Sequence, residues 1–272
     1  MTSADRMLAV LAVTVLAVGA RAARAGIEMN GIEMNGVSLN DATLGGSSLT
    51  DVRLDGSTLT GTRGDGTVVT GADFVGARLK GWTVDGRKVH VRIDGYSQAG
   101  DISGYDASFA YSDEDDVWQP VCTSGGEAVP LYGTWNADGS KTASDSVVTF
   151  ACPGGALSKC VNFGYAPWRS QDGTSLAPYH QACTRAIRAD YCGDGTSYTQ
   201  DGNTIDLYDT IGVQADTQPW TAEAEWNEGG AACMSGLATR ATVPVTCEAQ
   251  KLDPLCAASG PSASSLLVTE LP

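Results

Sequence analysis

Positive charge is scarce in this sequence: 17 Lys and Arg stand against 32 Asp and Glu, a formal net charge of −15. Such a chain repels phosphate backbones, whose binding begins with Lys and Arg neutralising phosphates, so nucleic acid is not an expected partner. Histidine is scarcer, with His90 and His180 alone, and no Cys-x-x-Cys pair occurs. Neither histidine stands at ligand spacing, so no zinc site and no cofactor is read from the sequence. The Walker, G-x-G-x-x-G, G-x-S-x-G and H-E-x-x-H signatures are missing, which removes the common nucleotide, nucleophile-elbow and zinc-protease chemistries. The one long uncharged apolar run, residues 7–20, falls short of the roughly 20 residues that a comfortable membrane span needs.

That run belongs to an N-terminal leader. Residues 1–25 carry Arg6, the apolar run, then Ala-Arg-Ala at 20–22 and again at 23–25, the three regions of a signal peptide. Cleavage there removes three arginines and one aspartate and leaves a mature chain of about −17, with no stable membrane span. All eight cysteines follow: Cys122, Cys152, Cys160, Cys183, Cys192, Cys233, Cys247 and Cys256. An even count behind a secretory leader reads as four disulfides, drawn from about 100 possible pairings. The expected address is outside the cytoplasm: secreted, periplasmic or cell-surface.

From Gly26 the chain runs in blocks of five, GIEMN GIEMN GVSLN DATLG GSSLT and onward, thirteen in a row as far as His90. The first position is Gly except at Asp41 and Asp51; the fourth is apolar except at Gly64. Period five matches neither a helix nor an ordinary strand. It resembles pentapeptide-repeat proteins, which implies a short right-handed β-helix of about three coils with the fourth residue inward. A Gly-rich stalk is the alternative. Residues 26–80 are assigned to this repeat.

Near Trp82 the period changes to two. Val89, Val91 and Ile93 alternate with His90, Arg92 and Asp94, so His90 is expected on the solvated face of a strand. Further strands are expected at 108–112, 117–121, 129–135 and 146–151. The acidic run 113–116 between two of them is a candidate calcium loop or a solvated turn. Pro153 opens a helix with Ala156, Leu157, Cys160 and Val161 on one face, and Gly164 suits its end. A second helix, from about Leu176, carries the stripe Leu176, Tyr179, Cys183, Ala186 and Ile187, with Gly193 closing it. Cys160 and Cys183 sit mid-stripe and are expected partners if the helices pack. Cys247 with Cys256 is the easiest local bridge. A hairpin is expected over 196–208 and a last strand over 222–226, with 257–272 a loose tail. The fold class is thus mainly β with two short α-helices, stapled by disulfides. The domain lies at 81–245 and a tail with a local cysteine pair at 246–272.

Asp190 is the residue that most needs explaining. It falls on the buried stripe, in the last helical turn, where burial and the helix dipole both oppose an acid. A structural network would answer this, drawing on Arg185, Arg188, Gly193, Asp194 and the turn amides up to Gly195. The chemical alternative is an extracellular hydrolase with an acid/base site of His180, Asp190 and Glu223 or Glu225, two carboxylates being able to act on a glycosidic bond.

The phrases Thr149-Phe-Ala-Cys152, Gly164-Tyr-Ala-Pro-Trp168, His180-Gln-Ala-Cys-Thr-Arg185 and Ala189-Asp-Tyr-Cys192 resemble the ADYC domain family over roughly residues 75–240. The resemblance implies secretion and a bacterial setting of myxobacterial type, and it carries no catalytic residues. The expected function is a non-enzymatic extracellular interaction or structural module that contacts a protein or glycan. The hydrolase, and more weakly a calcium-stabilised domain, are the alternatives.

Overall fold

The computed structural model describes residues 34–83, 85–112, 117–247, 256 and 262–272. The leader at 1–25 and the acidic run at 113–116 lie outside the described residues. Numbering strands of three or more residues in chain order, the repeat supplies β1 (Met34–Leu44), β2 (Thr50–Asp55), β3 (Thr58–Thr62), β4 (Val68–Thr70) and β5 (Arg78–Thr83). The fourth residue of each block turns inward: Leu39, Leu44, Leu49, Leu54, Leu59, Val69, Phe74 and Leu79 are all at most 8% exposed. Gly64, where the pattern lapses, lies on an exposed turn.

The ladders within the repeat are antiparallel: β1 with β5, β2 with β3, and β3 with β4. The stacked coils of a β-helix would pair in parallel. The first-position glycines supply the difference. Gly56, at φ +62°, lies in the two-residue turn between the paired Asp55 and Thr58, and reverses the chain there. The repeat therefore enters the structure as antiparallel strands: β2, β3 and β4 form a three-stranded sheet of their own, and β1 and β5 join a larger curled sheet.

That sheet continues into the body. With β6 (Lys88–Ala99), β7 (Ile102–Tyr111), β8 (Val129–Tyr132) and β9 (Val147–Ala151), its order is β8-β9-β1-β5-β6-β7, extended by Gln119–Pro120 and by Ser47–Ser48 on β1. β1 lies between β9 and β5, so the repeat and the chain that follows share one sheet. On β6, Val89 and Val91 are buried and His90 is half-buried. The sheet curls until Tyr105 of β7 exchanges both backbone hydrogen bonds with Ala128, each 2.9 Å, just ahead of β8. Cys122–Cys152 staples this seam.

The second layer holds α1 (Ala156–Asn162) and α2 (Ala177–Arg188), joined by Cys160–Cys183. A second sheet packs against α2, with β10 (Asp206–Asp209), β11 (Thr221–Asn227), β12 (Gly230–Met234) and β13 (Leu267–Leu271) in the order β10-β13-β11-β12. Three expectations are corrected here. Residues 196–205 form no ladder, because Ser197, Tyr198 and Thr199 spend their donors on the Arg188 carbonyl, at 3.0, 3.0 and 3.2 Å. The end of the chain is no loose tail: Leu267 to Leu271 form an interior strand of the sheet, each at most 9% exposed. Cys247 bonds Cys192 and Cys256 bonds Cys233, so the local bridge does not form.

The Cys192–Cys247 bridge spans 55 residues. Replacing both cysteines by alanine is expected to lower the unfolding free energy by about 4 kcal/mol, from the entropy restored to the unfolded chain. Urea denaturation measures this; a loss below about 1 kcal/mol would contradict it.

Candidate functional site

The ADYC tetrad begins where α2 ends. Pro178 in the first turn sets the helix up. At its other end Ala189 takes the left-handed conformation, φ 52°, four residues before the expected Gly193 stop. Its N–H donates to the Ala186 carbonyl at 3.0 Å, and that of Asp190 to the Arg185 carbonyl at 2.9 Å. These two bonds are a Schellman stop, which places Asp190 just beyond the helix and aims it back under it.

Asp190 is wholly buried. Its Oδ2 accepts from Arg185 Nη1 at 2.5 Å and from the Gly195 amide at 3.1 Å, and its Oδ1 accepts from the Asp194 amide at 3.2 Å. Burial pushes its pKa up, and the Arg185 guanidinium and the Gly195 amide oppose that rise. Arg185 also donates to the carbonyls of Asp138 (2.5 Å) and Glu228 (3.1 Å), so one guanidinium ties the helix to two separate loops. Arg188 Nη2 donates to the Gly195 carbonyl. Gly193 and Gly195 hold left-handed backbone at φ +66° and +83°.

Tyr191 leads into a second buried network. Its ring stacks on Trp226, centroids 5.2 Å apart, and its hydroxyl donates to Glu223 Oε1 at 2.5 Å. Burial and the adjoining Glu223 carboxylate both raise the Tyr191 pKa, so its proton stays in that bond. Glu223 also accepts from the Arg240 amide (3.1 Å) and from Thr269 Oγ1 (2.8 Å), and Arg240 Nη2 lies 3.1 Å from its Oε2. Thr269 in turn accepts from Trp226 Nε1 at 2.8 Å. Cys192, the last residue of the tetrad, carries the bridge to Cys247.

His180 stands apart from both networks. It is 1% exposed, and its Nε2 lies 3.1 Å from the Leu157 carbonyl, an acceptor, so Nε2 carries the proton of the neutral ring. Among the described residues no hydrogen bond or ion pair joins His180 to Asp190, Glu223 or Glu225. Glu225 accepts from the Ser262 amide at 2.8 Å, which anchors the last segment of the chain. The tetrad thus brings Asp190 and Glu223 into neighbouring networks through Tyr191, and leaves His180 outside them. Every one of these groups is at most 5% exposed, whereas a general acid or base must reach a proton on its substrate.

Arg240, Thr269 and the Tyr191 hydroxyl are the members of the site that spacing does not reveal. Arg240 alone left a trace: it is the one charged residue between Glu228 and Glu248.

Burial lowers the His180 pKa from 6.5 to about 4. Between those values the unfolded chain binds a proton that the folded chain does not, so stability falls as pH drops through 6.5 towards 4. From pH 7 to pH 5 this one group is expected to remove about 2 kcal/mol. His180→Gln should flatten the loss by that amount in urea melts at the two pH values; an unchanged slope would contradict it.

Buried salt bridges, a stapled helix pair and a curled antiparallel sheet define a disulfide-stabilised β-rich protein of extracytoplasmic type, four disulfides being the mark of an oxidising compartment. Among the described residues no helix is long and apolar enough to cross a membrane. The family model described as ADYC domain matches residues 71–240, and pentapeptide repeats match in eight copies over 42–81. The chain belongs to the ADYC domain family. No curated protein and no solved structure matches it.

Proposed function

We propose that the chain is exported by its leader at 1–25 and acts as a non-enzymatic extracellular interaction or structural module, with a protein or glycan as its partner. One observation carries this reading: the residues best suited to acid–base chemistry are engaged inward. Both oxygens of Asp190 and both of Glu223 accept hydrogen bonds from the protein itself, and neither side chain is exposed. Catalytic groups are kept partly free for substrate, and two carboxylates divide acid and base roles across an open gap. Here Glu223 is bonded by the Tyr191 hydroxyl and the Arg240 amide instead.

Assays with chromogenic glycosides, esters and peptides test the reading. No turnover above that of the heat-denatured protein is expected. Turnover that His180→Gln abolishes while the circular dichroism spectrum stays native would overturn it and restore the hydrolase.

A further inference from the structure

We infer that Asp206, Asp216 and Glu270 form a calcium-binding site that fastens the C-terminal strand to its sheet. Asp206 opens β10 and pairs in register with Glu270 of β13. Residues directly opposite in an antiparallel pair point to the same face, and like charges there repel. The loop between β10 and β11 adds a third acid, Asp216, and one carboxylate oxygen of each residue lies within 4.8 Å of the others. Oxygen ligands stand at about 2.3–2.6 Å from calcium, so two ligands of one ion are separated by up to about 5 Å.

A second observation points to a missing ligand. Glu270 is 8% exposed, and its Oε2 is buried without a hydrogen-bond partner. Its Oε1 receives one long bond, 3.4 Å, from the Tyr208 hydroxyl. Among the described residues no ion pair involves any of the three acids. A buried carboxylate with two acidic neighbours and no cation is costly, and a divalent ion removes the cost.

The donors are all oxygens, which selects a hard cation over zinc. Asp216 is exposed, which gives the ion an entry path and leaves room for water in its shell. Asp206 Oδ2 accepts from the Thr217 and Gln218 amides at 2.8 and 3.0 Å, which sets the loop carrying Asp216 beside it.

Calorimetric titration of the full chain with calcium, alongside thermal melts, tests the site. One calcium-binding event is expected. About 5 mM calcium should raise Tm by about 3 °C relative to sodium chloride of matched ionic strength. Asp216→Asn, on an exposed side chain, should keep the calcium-free Tm within about 1 °C and lose at least about tenfold in calcium affinity. No binding heat and no calcium-specific rise in Tm would overturn the proposal, as would full affinity in Asp216→Asn. So would a melting point that ignores calcium but climbs on acidification in the wild type and not in Glu270→Gln, since a proton would then be what settles the cluster.

Discussion

Gly193→Ala is expected to lose more than about 4 kcal/mol of stability and with it most of the soluble folded protein. A methyl group placed on Gly193 falls 1.7 Å from the Gly229 carbonyl oxygen, and one on Gly195 falls 2.0 Å from that of Ala137. Both obstacles are backbone, held in place by Arg185 through its bonds to the Glu228 and Asp138 carbonyls. Neither can step aside without breaking those bonds. The left-handed φ adds a smaller penalty of about 1–2 kcal/mol. Gly202 separates the two effects. Its φ is +90°, yet nothing lies within 4 Å of its missing side chain. Gly202→Ala should therefore cost only about 1–2 kcal/mol. Urea denaturation of the two variants gives the comparison; equal losses at Gly193 and Gly202 would show that close approach is not the cause.

Asp190→Asn and Glu223→Gln are each expected to destabilise the protein by about 3 kcal/mol, because each leaves a buried guanidinium beside a neutral amide. Arg185 is 2% exposed and Arg240 7%, so water cannot replace the lost carboxylate. The direction of the effect discriminates between roles. Active-site charges are commonly strained and their removal tends to leave stability unchanged or raised, whereas a structural pair loses stability when halved. Folded variants as stable as the wild type would place these carboxylates in a functional site.

What was legible in the sequence is what is local. The inward fourth residue of each five-residue block is written in the period itself, and Leu39 to Leu79 follow it into the core. The helix stripe put Cys183 opposite Cys160, and their bridge spans 23 residues. The acid at Asp190 demanded a partner, and Arg185 stands five residues before it. The rest depends on distant segments. Glu223 is satisfied by groups from 191, 240 and 269 at once, which no spacing announces. β13 was hidden because an interior strand reads as a short apolar run, and Leu266-Leu267-Val268 follows a Ser- and Ala-rich stretch. Helix α2 is buried beyond its apolar stripe: Tyr179 to Ile187 are all buried, the polar residues between stripe positions included. Gln181, for example, accepts from Trp135 Nε1 at 2.9 Å and donates to the Gly139 carbonyl at 2.8 Å. That helix is a buried pillar, and its polar side chains are joints to the loops around it.

We propose that the tetrad and its flanking glycines act as a clamp between α2, the loop around Asp138 and the turn between β11 and β12, which Arg185 joins through its bonds to the Asp138 and Glu228 carbonyls. Native-state hydrogen exchange at the Asp190, Asp194 and Gly195 amides tests this most directly. Two of these amides bond the Asp190 carboxylate and the third bonds the Arg185 carbonyl. In a clamp they open only when the whole domain unfolds, so their exchange free energies should equal the global value from urea denaturation. Exchange easier by about 3 kcal/mol or more, the behaviour of a mobile binding loop, would contradict it.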